Sequence, residues 1–246
     1  MDWKHEVSLD WLSERQEHIT ASEIRQLVPF TATGRPKKIT DSDYMKIYAK
    51  KICKLTREDC LSYGAAARGH LLEPFAIDSA SRLPGMPKLY HWDDVLITRP
   101  GHDIAYSPDA LNVPMESEEP PTILGEVKSY GAERHLTTAN TPKNKLEERW
   151  QIATAMAVSP TIETAYLILY NPEVQVADSQ VYVIKYTRDE LESEINTIFD
   201  VEADWLDFCK RDILDGADIF VRGMSQTTIY EIEKEIEHQQ QLNPRL

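Results

Sequence analysis

The fold is decided by residues 122–128, TILGEVK, and by residues 107–111, SPDAL, a short distance upstream. The first stretch is rich in β-branched and apolar residues and follows two prolines, a pattern that predicts a β-strand. Side chains alternate along a strand, so Glu126 and Lys128 are expected on one face and Val127 on the other. A carboxylate therefore stands beside an ammonium group at the end of this strand.

Two carboxylates and an ammonium group are what a Mg²⁺-dependent phosphodiesterase requires. Asp109 and Glu126 would hold the metal ion, and Lys128 would orient or deprotonate the attacking water. Glu-x-Lys on its own is common and is usually a solvated pair on an exposed strand. The interpretation therefore depends on further motifs in register with this one.

Composition indicates a globular protein with room for one large domain, or for one domain with a helical appendage. The 246 residues are 41% hydrophobic and 28% charged, and no stretch approaches the roughly 20 apolar residues that cross a bilayer. The first residues lack a secretory apolar run, so a cytoplasmic location without membrane association is expected. Cys53, Cys60 and Cys209 are too few for a disulfide framework, a zinc site or an iron–sulfur cluster.

Charge is distributed unevenly along the chain, whose net charge is −14. Residues 34–57 hold eight basic and two acidic residues, a local net charge of +6, whereas residues 188–246 hold 15 acidic and six basic residues, or −9. The acidic total argues against nonspecific binding of nucleic acid, while the basic strip suits a polyanion. The alternative is that the strip only solvates a helix. The basic residues of the strip are Arg35, Lys37, Lys38, Lys46, Lys50, Lys51, Lys54 and Arg57.

Periodicity and capping residues predict a mixed α/β fold. Helices are expected over 8–16, 20–27, 40–55, 62–82, 144–158 and much of the tail from 188, and strands over 94–98, 104–106, 122–128, 164–170 and 180–186. Residues 113–121 are acidic and proline-rich, which predicts an exposed loop. The order of elements predicts one α/β domain with a central mixed sheet flanked by helices. The fourth helix is expected to bury a stripe formed by Leu71, Leu72, Phe75 and Ile77.

Five motifs stand in a fixed order between residues 11 and 186. They are Trp11-x-x-x-Arg15-x-x-x-Ile19-Thr20-Ala21-Ser22-Glu23, Gly69-His70-Leu71-Leu72-Glu73-Pro74, Ser107-Pro108-Asp109, Glu126-Val127-Lys128, and Trp150-Gln151 leading into residues 165–172. Their order resembles the phage lambda-type exonuclease, or YqaJ-type viral recombinase, family of PD-(D/E)XK nucleases. The resemblance implies a PD-(D/E)XK restriction-endonuclease-like core, with a nuclease domain over residues 1–187 and an acidic helical extension over 188–246.

The resemblance implies a metal-binding role for four residues. Asp109 and Glu126 look like direct ligands of Mg²⁺, for which Mn²⁺ would substitute, because both cations prefer hard oxygen ligands. The backbone carbonyl of Val127 is expected as a further ligand. Glu73 is similar to the family's helical glutamate, which completes the site around a second metal ion or its waters.

The resemblance also implies catalytic roles for two residues that bind no metal. Lys128 would serve as the base or steady the phosphate, and Gln151 would position the water or the scissile phosphate. Without the motif order, Glu73 would be a helix-surface carboxylate and Gln151 a polar residue at the edge of an amphipathic helix. Asp109 would then be ordinary turn chemistry.

Arg15, Thr20 and Ser22 form a separate group that offers a guanidinium and two hydroxyls near a helix start. In the family that the chain resembles, this position receives the 5′ phosphate at a recessed duplex end. The alternative is a helix cap with a surface arginine. Further DNA contacts are expected from the basic loop, at Arg35, Lys37 and Lys38.

The sequence departs from the family's pattern at positions that carry no metal ligand. Ala110 stands where the family often has glycine, Ser129-Tyr130 where it has Cys-Pro, and Ala153 replaces a second glutamine. Three histidines near the motifs are expected to have structural or surface roles, namely His70, His102 and His135.

The resemblance implies a Mg²⁺-dependent 5′→3′ exonuclease that degrades one strand of duplex DNA and leaves a 3′ overhang for recombination. It also implies a ring-shaped homotrimer around DNA and a single-strand annealing protein as partner, for which the acidic tail or residues 114–121 offer docking surfaces. The alternatives are an endonuclease of the same superfamily and a non-catalytic DNA-end-binding protein. Clustered carboxylates disfavour the second alternative, because they would repel phosphates in a protein that only binds.

Overall fold

The computed structural model describes the backbone of residues 7–8, 15–31, 34–52 and 65–223, and side chains within 15–31, 34–51 and 67–210. The strands are β1 Val7–Ser8, β2 Ile19–Thr20, β3 Tyr90–His91, β4 Leu96–Thr98, β5 Ile104–Tyr106, β6 Ala110–Leu111, β7 Ile123–Lys128, β8 Thr164–Tyr170 and β9 Val181–Thr187. The helices are α1 Ala21–Leu27, α2 Asp41–Ile52, α3 Ala65–Ser81, α4 Ala132–Ala139, α5 Glu148–Val158 and α6 Glu192–Gly223.

The strands form two mixed sheets. The larger sheet has the order β3-β6-β7-β8-β9, in which β7 and β8 are parallel and the other neighbours are antiparallel. The smaller sheet has the order β1-β4-β5-β2, with β2 parallel to β5. The predicted α/β class, with mixed sheets flanked by helices, is confirmed. Strand β7, which carries the Glu-x-Lys motif, lies at the centre of the larger sheet, and the second sheet was not predicted.

Helix α5 is buried along its whole length, from Glu148 to Val158. It packs against α1 and against strand β5. Its alanine, isoleucine and methionine side chains suit a crowded interior on all sides of a helix. This burial holds Gln151, one of the predicted catalytic residues, at a defined position.

Helix α3 turns its small residues, rather than its largest ones, toward the larger sheet. The predicted buried stripe is wrong for Leu71 and Phe75, which are 72% and 61% exposed. These two side chains lie one turn apart on the same helix face. Alanines face the strands instead, because they let the helix approach the sheet closely. The buried cluster between helix and sheet includes Ala76, Ile77, Ala80, Val127 and Ile168.

Several predicted boundaries change in the structure. Ser8 lies in strand β1 rather than at a helix start, and residues 9–14 of that predicted helix lie outside the described residues. Residues 53–64, with the predicted end of α2, and residues 224–246 also lie outside them. Helix α5 begins at Glu148, after a 3₁₀ turn at Lys143–Lys145. Helix α4 and the short strands β3 and β6 were not predicted.

The chain divides into two compact units, residues 1–204 and 205–246. The first unit holds all the described strands, helices α1 to α5 and the beginning of α6. The predicted domain boundary between residues 187 and 188 stays a prediction. Within the part of the chain that the structure describes, no helix is long and apolar enough to cross a membrane.

Candidate active site

The end of strand β7 carries the Glu-x-Lys motif next to the aspartate of the preceding motif. Because β6 and β7 are antiparallel, the residue before β6 lies beside the end of β7. Asp109 Oδ2 accepts a hydrogen bond of 2.6 Å from the Val127 N–H. The Lys128 ammonium donates one of 2.6 Å to Glu126 Oε1. The carboxylate and the ammonium therefore share one face of the strand, as the alternation predicts.

Gly125 allows β6 and β7 to pair closely at this point. It stands opposite Ala110. A Cβ atom at position 125 would lie 3.0 Å from Leu89 Cδ1 and 3.2 Å from Ala110 Cβ, which is too close for ordinary contact. The glycine within TILGEVK thus keeps the neighbouring strand, and with it Asp109, against β7.

Val127 serves the core and the site at once. Its side chain is buried in the cluster between α3 and the larger sheet. Its N–H points toward Asp109, and the N–H and C=O of one strand residue point to the same side. The carbonyl that was predicted as a ligand therefore faces the Asp109 side of β7.

One cavity of about 320 Å³ brings the predicted side chains together. All five predicted catalytic residues and all three residues of the predicted phosphate site lie on its wall. Side chains from α3, α5, β7 and the segment before α1 thus converge. The predicted residues in the lining are Arg15, Thr20, Ser22, Glu73, Asp109, Glu126, Lys128 and Gln151.

The cavity concentrates negative charge. Burial raises the pKa of Asp109 well above its ordinary value, and the nearby Glu126 carboxylate adds to the shift. Burial alone would lower the pKa of Lys128, but Glu126 and Asp109 outweigh that effect and raise it. Carboxylates that repel one another in a sheltered cavity form a donor set that a divalent cation stabilises.

The carboxylates do not converge into a closed metal cage. Among the described residues, no three His, Cys, Asp or Glu side chains form a group that could hold a metal ion. Asp109 and Glu126 instead meet the Val127 N–H and the Lys128 ammonium. The donor set nevertheless fits Mg²⁺ or Mn²⁺ in kind, because it consists of hard oxygens that face a common space.

Gln151 contributes an unsatisfied polar atom to this space. Its side chain is 9% exposed, and its Oε1 is buried with no hydrogen-bond partner among the described residues. A buried acceptor without a partner costs about 1–3 kcal/mol. A group that donates to Oε1, such as a bound water, would remove that cost.

Two histidines border Glu73, and the sequence placed neither in the site. His70 was predicted to have a structural or surface role, but it lines the cavity, with Nδ1 3.4 Å from Glu73 Oε2 and Nε2 3.3 Å from Asp93. His91 Nε2 lies 3.4 Å from the same Glu73 oxygen, and this hydrogen bond raises the pKa of His91. No motif marks His91. The signal that could have found it is the pairing of β3 with β6, which places His91 beside the residue that follows Asp109.

The other two histidines, for which structural or surface roles were predicted, make their contacts away from the cavity. His102 Nδ1 lies 2.8 Å from a carboxylate oxygen of Glu202. His135 is fully buried, and its Nε2 lies 2.9 Å from the Ser179 carbonyl oxygen. Neither side chain lines the cavity.

Arg15, Thr20 and Ser22 form a polar corner of the cavity. Arg15 Nη2 donates to Ser22 Oγ at 3.3 Å, and the two hydroxyl oxygens lie 3.1 Å apart. The predicted capping box is present, because Glu23 Oε2 accepts from the Thr20 N–H at 2.9 Å and from Thr20 Oγ1 at 2.8 Å. A guanidinium and hydroxyls that converge in this way suit an anion.

Lys51 supports the polar corner from within the protein. Its ammonium donates to the carbonyls of Arg15 and His18, at 2.8 and 2.5 Å, and to Glu23 Oε2 at 2.7 Å. Only 9% of its side chain is exposed. From the sequence, Lys51 was expected to belong to the basic strip that is available to a polyanion. That assignment is wrong, because the ammonium is buried and its hydrogen bonds are made inside the protein.

The basic loop, residues 35–38, lies outside the cavity. Arg35, Lys37 and Lys38 are exposed and line no part of it. The Lys37 ammonium donates to the Gln26 carbonyl at 2.8 Å. Their predicted contact with DNA stays a prediction.

The chain has the fold of a known α/β exonuclease, as the motif order predicts. Its structure is similar to that of LHK-Exo, an alkaline exonuclease from Laribacter hongkongensis, one of whose structures is a complex with dAMP. The match has a TM-score of 0.56 at 21% sequence identity, and it covers 85% of this chain and 99% of LHK-Exo. A phage-related exonuclease from Haemophilus somnus 129PT matches with a TM-score of 0.48 at 14% identity, over 80% of this chain and 96% of that one. No family model and no curated protein matches the sequence.

Proposed function

We propose that the protein is a metal-dependent DNA exonuclease that hydrolyses one strand of duplex DNA from its 5′ end. The observation that carries the proposal is the single cavity in which Asp109, Glu126 and Lys128 face Arg15 and Gln151. A carboxylate cluster opposes phosphate binding unless a cation joins them, so this combination favours catalysis over simple binding. The fold of LHK-Exo, an alkaline exonuclease, agrees with this proposal.

The carboxylates provide the proposed metal site. Asp109 and Glu126 would hold Mg²⁺, for which Mn²⁺ would substitute, with the Val127 carbonyl as a further ligand and Glu73 at the edge of the site. When bound, the metal supplies Lewis-acid stabilisation of the phosphate and lowers the pKa of a coordinated water. His70 Nδ1 and His91 Nε2 each lie 3.4 Å from Glu73 Oε2 and would help to position this carboxylate.

Lys128 and Gln151 complete the proposed machinery. The Lys128 ammonium, 2.6 Å from Glu126 Oε1, lies where it can orient the attacking water or steady the phosphate. Gln151 Oε1, which has no partner among the described residues, can accept a hydrogen bond from that water. Both side chains line the cavity, so no large movement is needed to bring them to a bound strand.

The polar corner gives the proposed reaction its direction. Arg15, Thr20 and Ser22 would hold a terminal 5′ phosphate through a guanidinium and two hydroxyls. Because the corner shares one cavity with the carboxylates, an anchored terminus places the adjacent phosphodiester within the same space. An endonuclease has no need of an anchor for a chain end.

Digestion of linear duplex DNA in Mg²⁺, labelled at either end, tests the chemistry. Wild type should shorten the strand that begins with a 5′ phosphate, and Lys128→Ala should lose at least about 100-fold in rate. Lys185→Ala is the matched control, because Lys185 is an exposed lysine on the edge strand β9. Equal activity of wild type and Lys128→Ala would show that another site performs the cleavage.

Two substrates separate the proposal from its alternatives. An exonuclease should leave a closed circular plasmid intact, whereas an endonuclease would cut it. Arg15→Ala should slow digestion of a 5′-phosphorylated end far more than digestion of a 5′-hydroxyl end. Binding of duplex ends without any degradation in Mg²⁺ or Mn²⁺ would favour the non-catalytic end-binding protein.

The proposal extends to assembly and partners on the strength of the motif resemblance alone. The first element of this extension is a homotrimer ring around DNA. The second is a single-strand annealing protein that receives the 3′ overhang for recombination. Sedimentation equilibrium tests the first, and a monomer that digests processively would exclude the ring. Capture of the annealing protein by variants lacking residues 188–246 or 114–121 tests the second, and unchanged capture by both would exclude these docking surfaces.

A further inference from the structure

A second cavity, of about 420 Å³, lies beside the first and shares no lining residue with it. It is bounded by α1, the loop that follows α1, α2 and α5. Its walls combine two aromatic rings, Phe30 and Trp150, with the basic side chains of Arg25, Lys37 and Lys46. Two carboxylates also line it, so its lining carries a small positive charge in a protein whose net charge is −14.

The two cavities are adjacent along two helices. On α1, Ser22 belongs to the polar corner, while Arg25 and Gln26 lie one turn further on the same face. Four residues of helix span about 6 Å, the axial length of about two stacked nucleotides. On α5, Trp150 and Gln151 are consecutive and line different cavities. A strand whose end occupies the first cavity therefore passes the second within a nucleotide or two.

Phe30 offers a flat surface to this cavity. Its ring is 40% exposed and lies parallel to the Trp150 ring, with 4° between the planes and 6.5 Å between the centroids. Trp150 is only 6% exposed, and the Arg149 guanidinium covers it at 4.9 Å. An exposed phenyl ring thus lies parallel to a buried indole, and it offers a flat apolar surface on which a nucleobase can stack.

The basic side chains are placed to hold a phosphate. Arg25 forms no hydrogen bond or ion pair with the residues that the structure describes, so its guanidinium can bind an anion in a bidentate manner. The Lys37 ammonium donates one of its three hydrogens to the Gln26 carbonyl, and the other two can bind a phosphate. Lys46 pairs with Asp43 at 3.2 Å but is 66% exposed. An aromatic face beside these cations matches one nucleotide unit, a base with its phosphate.

We propose that this cavity binds a nucleotide of the DNA strand next to the one held in the active site, with its base stacked on Phe30 and its phosphate bound by Arg25 and Lys37. The inference takes its ligand from the proposed function but does not depend on cleavage. It gives the protein a contact with the substrate that is indifferent to sequence, because every base has a flat face.

Binding of a short duplex with one 5′-phosphorylated recessed end, followed by fluorescence anisotropy, tests this site. The measurement is made in Mg²⁺ in the Lys128→Ala background, in which the proposed chemistry is blocked. Phe30→Ala should raise Kd by about 5- to 150-fold, whereas Phe30→Tyr, which keeps the ring, should stay within about twofold. Phe75→Ala is the matched control, because it removes another exposed phenyl ring, on helix α3 and 61% exposed, and should leave Kd unchanged.

An abasic scan identifies the nucleotide that stacks. Removing one base near the recessed 5′ end should raise the Kd of the wild-type protein for the duplex. The same removal should not raise the Kd of Phe30→Ala any further. Three results would overturn the proposal. They are equal Kd values for wild type and Phe30→Ala, equal losses of affinity in Phe30→Ala and Phe75→Ala, and no binding of duplex ends by wild type or by Phe30→Ala. So would a change of oligomeric state in Phe30→Ala with unchanged Kd, which would assign the cavity to contact between copies. Because anisotropy reads binding alone, failure of the proposed cleavage would leave these expectations intact.

Discussion

Replacing Lys51 by methionine tests the buried ion pair behind the polar corner. The variant keeps an unbranched apolar stem of similar volume but removes the ammonium, which donates to Glu23 Oε2 at 2.7 Å and to the carbonyls of Arg15 and His18. The two charged side chains are only 9% and 12% exposed, so Glu23 would remain as a buried carboxylate without a cation. Loss of one partner of a buried ion pair costs about 3–5 kcal/mol. In a chain of this size that loss lowers Tm by about 6–20 °C.

Thermal unfolding followed by circular dichroism measures this loss against a matched control. Lys46→Met removes another lysine of helix α2, one that is 66% exposed and pairs with Asp43 at 3.2 Å. An exposed pair contributes about 0–1 kcal/mol, so its Tm should fall by no more than about 4 °C. The double variant Glu23→Gln/Lys51→Met should recover part of the loss, because it leaves no unpaired charge. A Tm for Lys51→Met as high as that of Lys46→Met would refute the reasoning.

The pH dependence of Tm gives the ion pair a second signature. Burial acts to raise the pKa of Glu23, but Lys51 and the hydrogen bonds from Thr20 outweigh it and lower that pKa below 4.5. A carboxyl group with a depressed folded-state pKa contributes stability above its unfolded pKa and loses it as the pH falls through the folded value. Wild type should therefore lose stability as the pH falls below 4.5, and Glu23→Gln should lose less over the same interval. Parallel acid titrations of Tm for the two proteins measure the difference.

Three further changes test separate features of the fold. Gly125→Ala should cost about 1–3 kcal/mol in chemical denaturation, because its Cβ would lie 3.2 Å from the backbone-anchored Cβ of Ala110. Thr40→Ala should raise the pKa of Asp43 part of the way from about 2 toward 3.8 in an NMR titration, because it removes the hydroxyl that donates to the ionised carboxylate and leaves the N–H donor in place; an unchanged value would contradict that cause. Phe75→Ser should leave the free energy of unfolding within about 0.5 kcal/mol of wild type, because the ring is 61% exposed.

The parts of the site that could be predicted are those determined by neighbours in sequence. The strand predicted over 122–128, which is Ile123–Lys128 in the structure, follows from composition and the two prolines before it, and the capping box follows from Thr20 and Glu23 three positions apart. That Glu126 and Lys128 share a face needs only the period of a strand. Convergence of the five motifs in one cavity did not follow from any of these patterns and was expected only through the order of the motifs.

The parts that could not be predicted depend on partners distant in sequence. Lys51 had the pattern of an exposed lysine on a helix, and only the packing of α2 against the segment before α1 buries its ammonium. His91 comes within reach of Glu73 through the pairing of β3 with β6, which no local sequence pattern predicts. Leu71 and Phe75 were expected inside because large apolar residues usually are. Instead, the face of α3 that carries alanines packs against the strands, since close approach to the sheet needs small side chains.

The proposed function requires an acidic chain to keep its negative charge away from the path of the DNA strand, and the two cavities offer a way to do so. In the first cavity the carboxyl groups of Glu73, Asp109 and Glu126 line the wall away from the polar corner, so a scissile phosphate that approaches them without a cation meets repulsion. The proposed divalent ion reverses that balance only where the carboxylates are, which ties binding of the scissile phosphate to readiness for cleavage. In the second cavity the basic side chains are in slight excess, and the strand can bind there before the metal site is filled. The two cavities would thus separate holding the strand from cutting it.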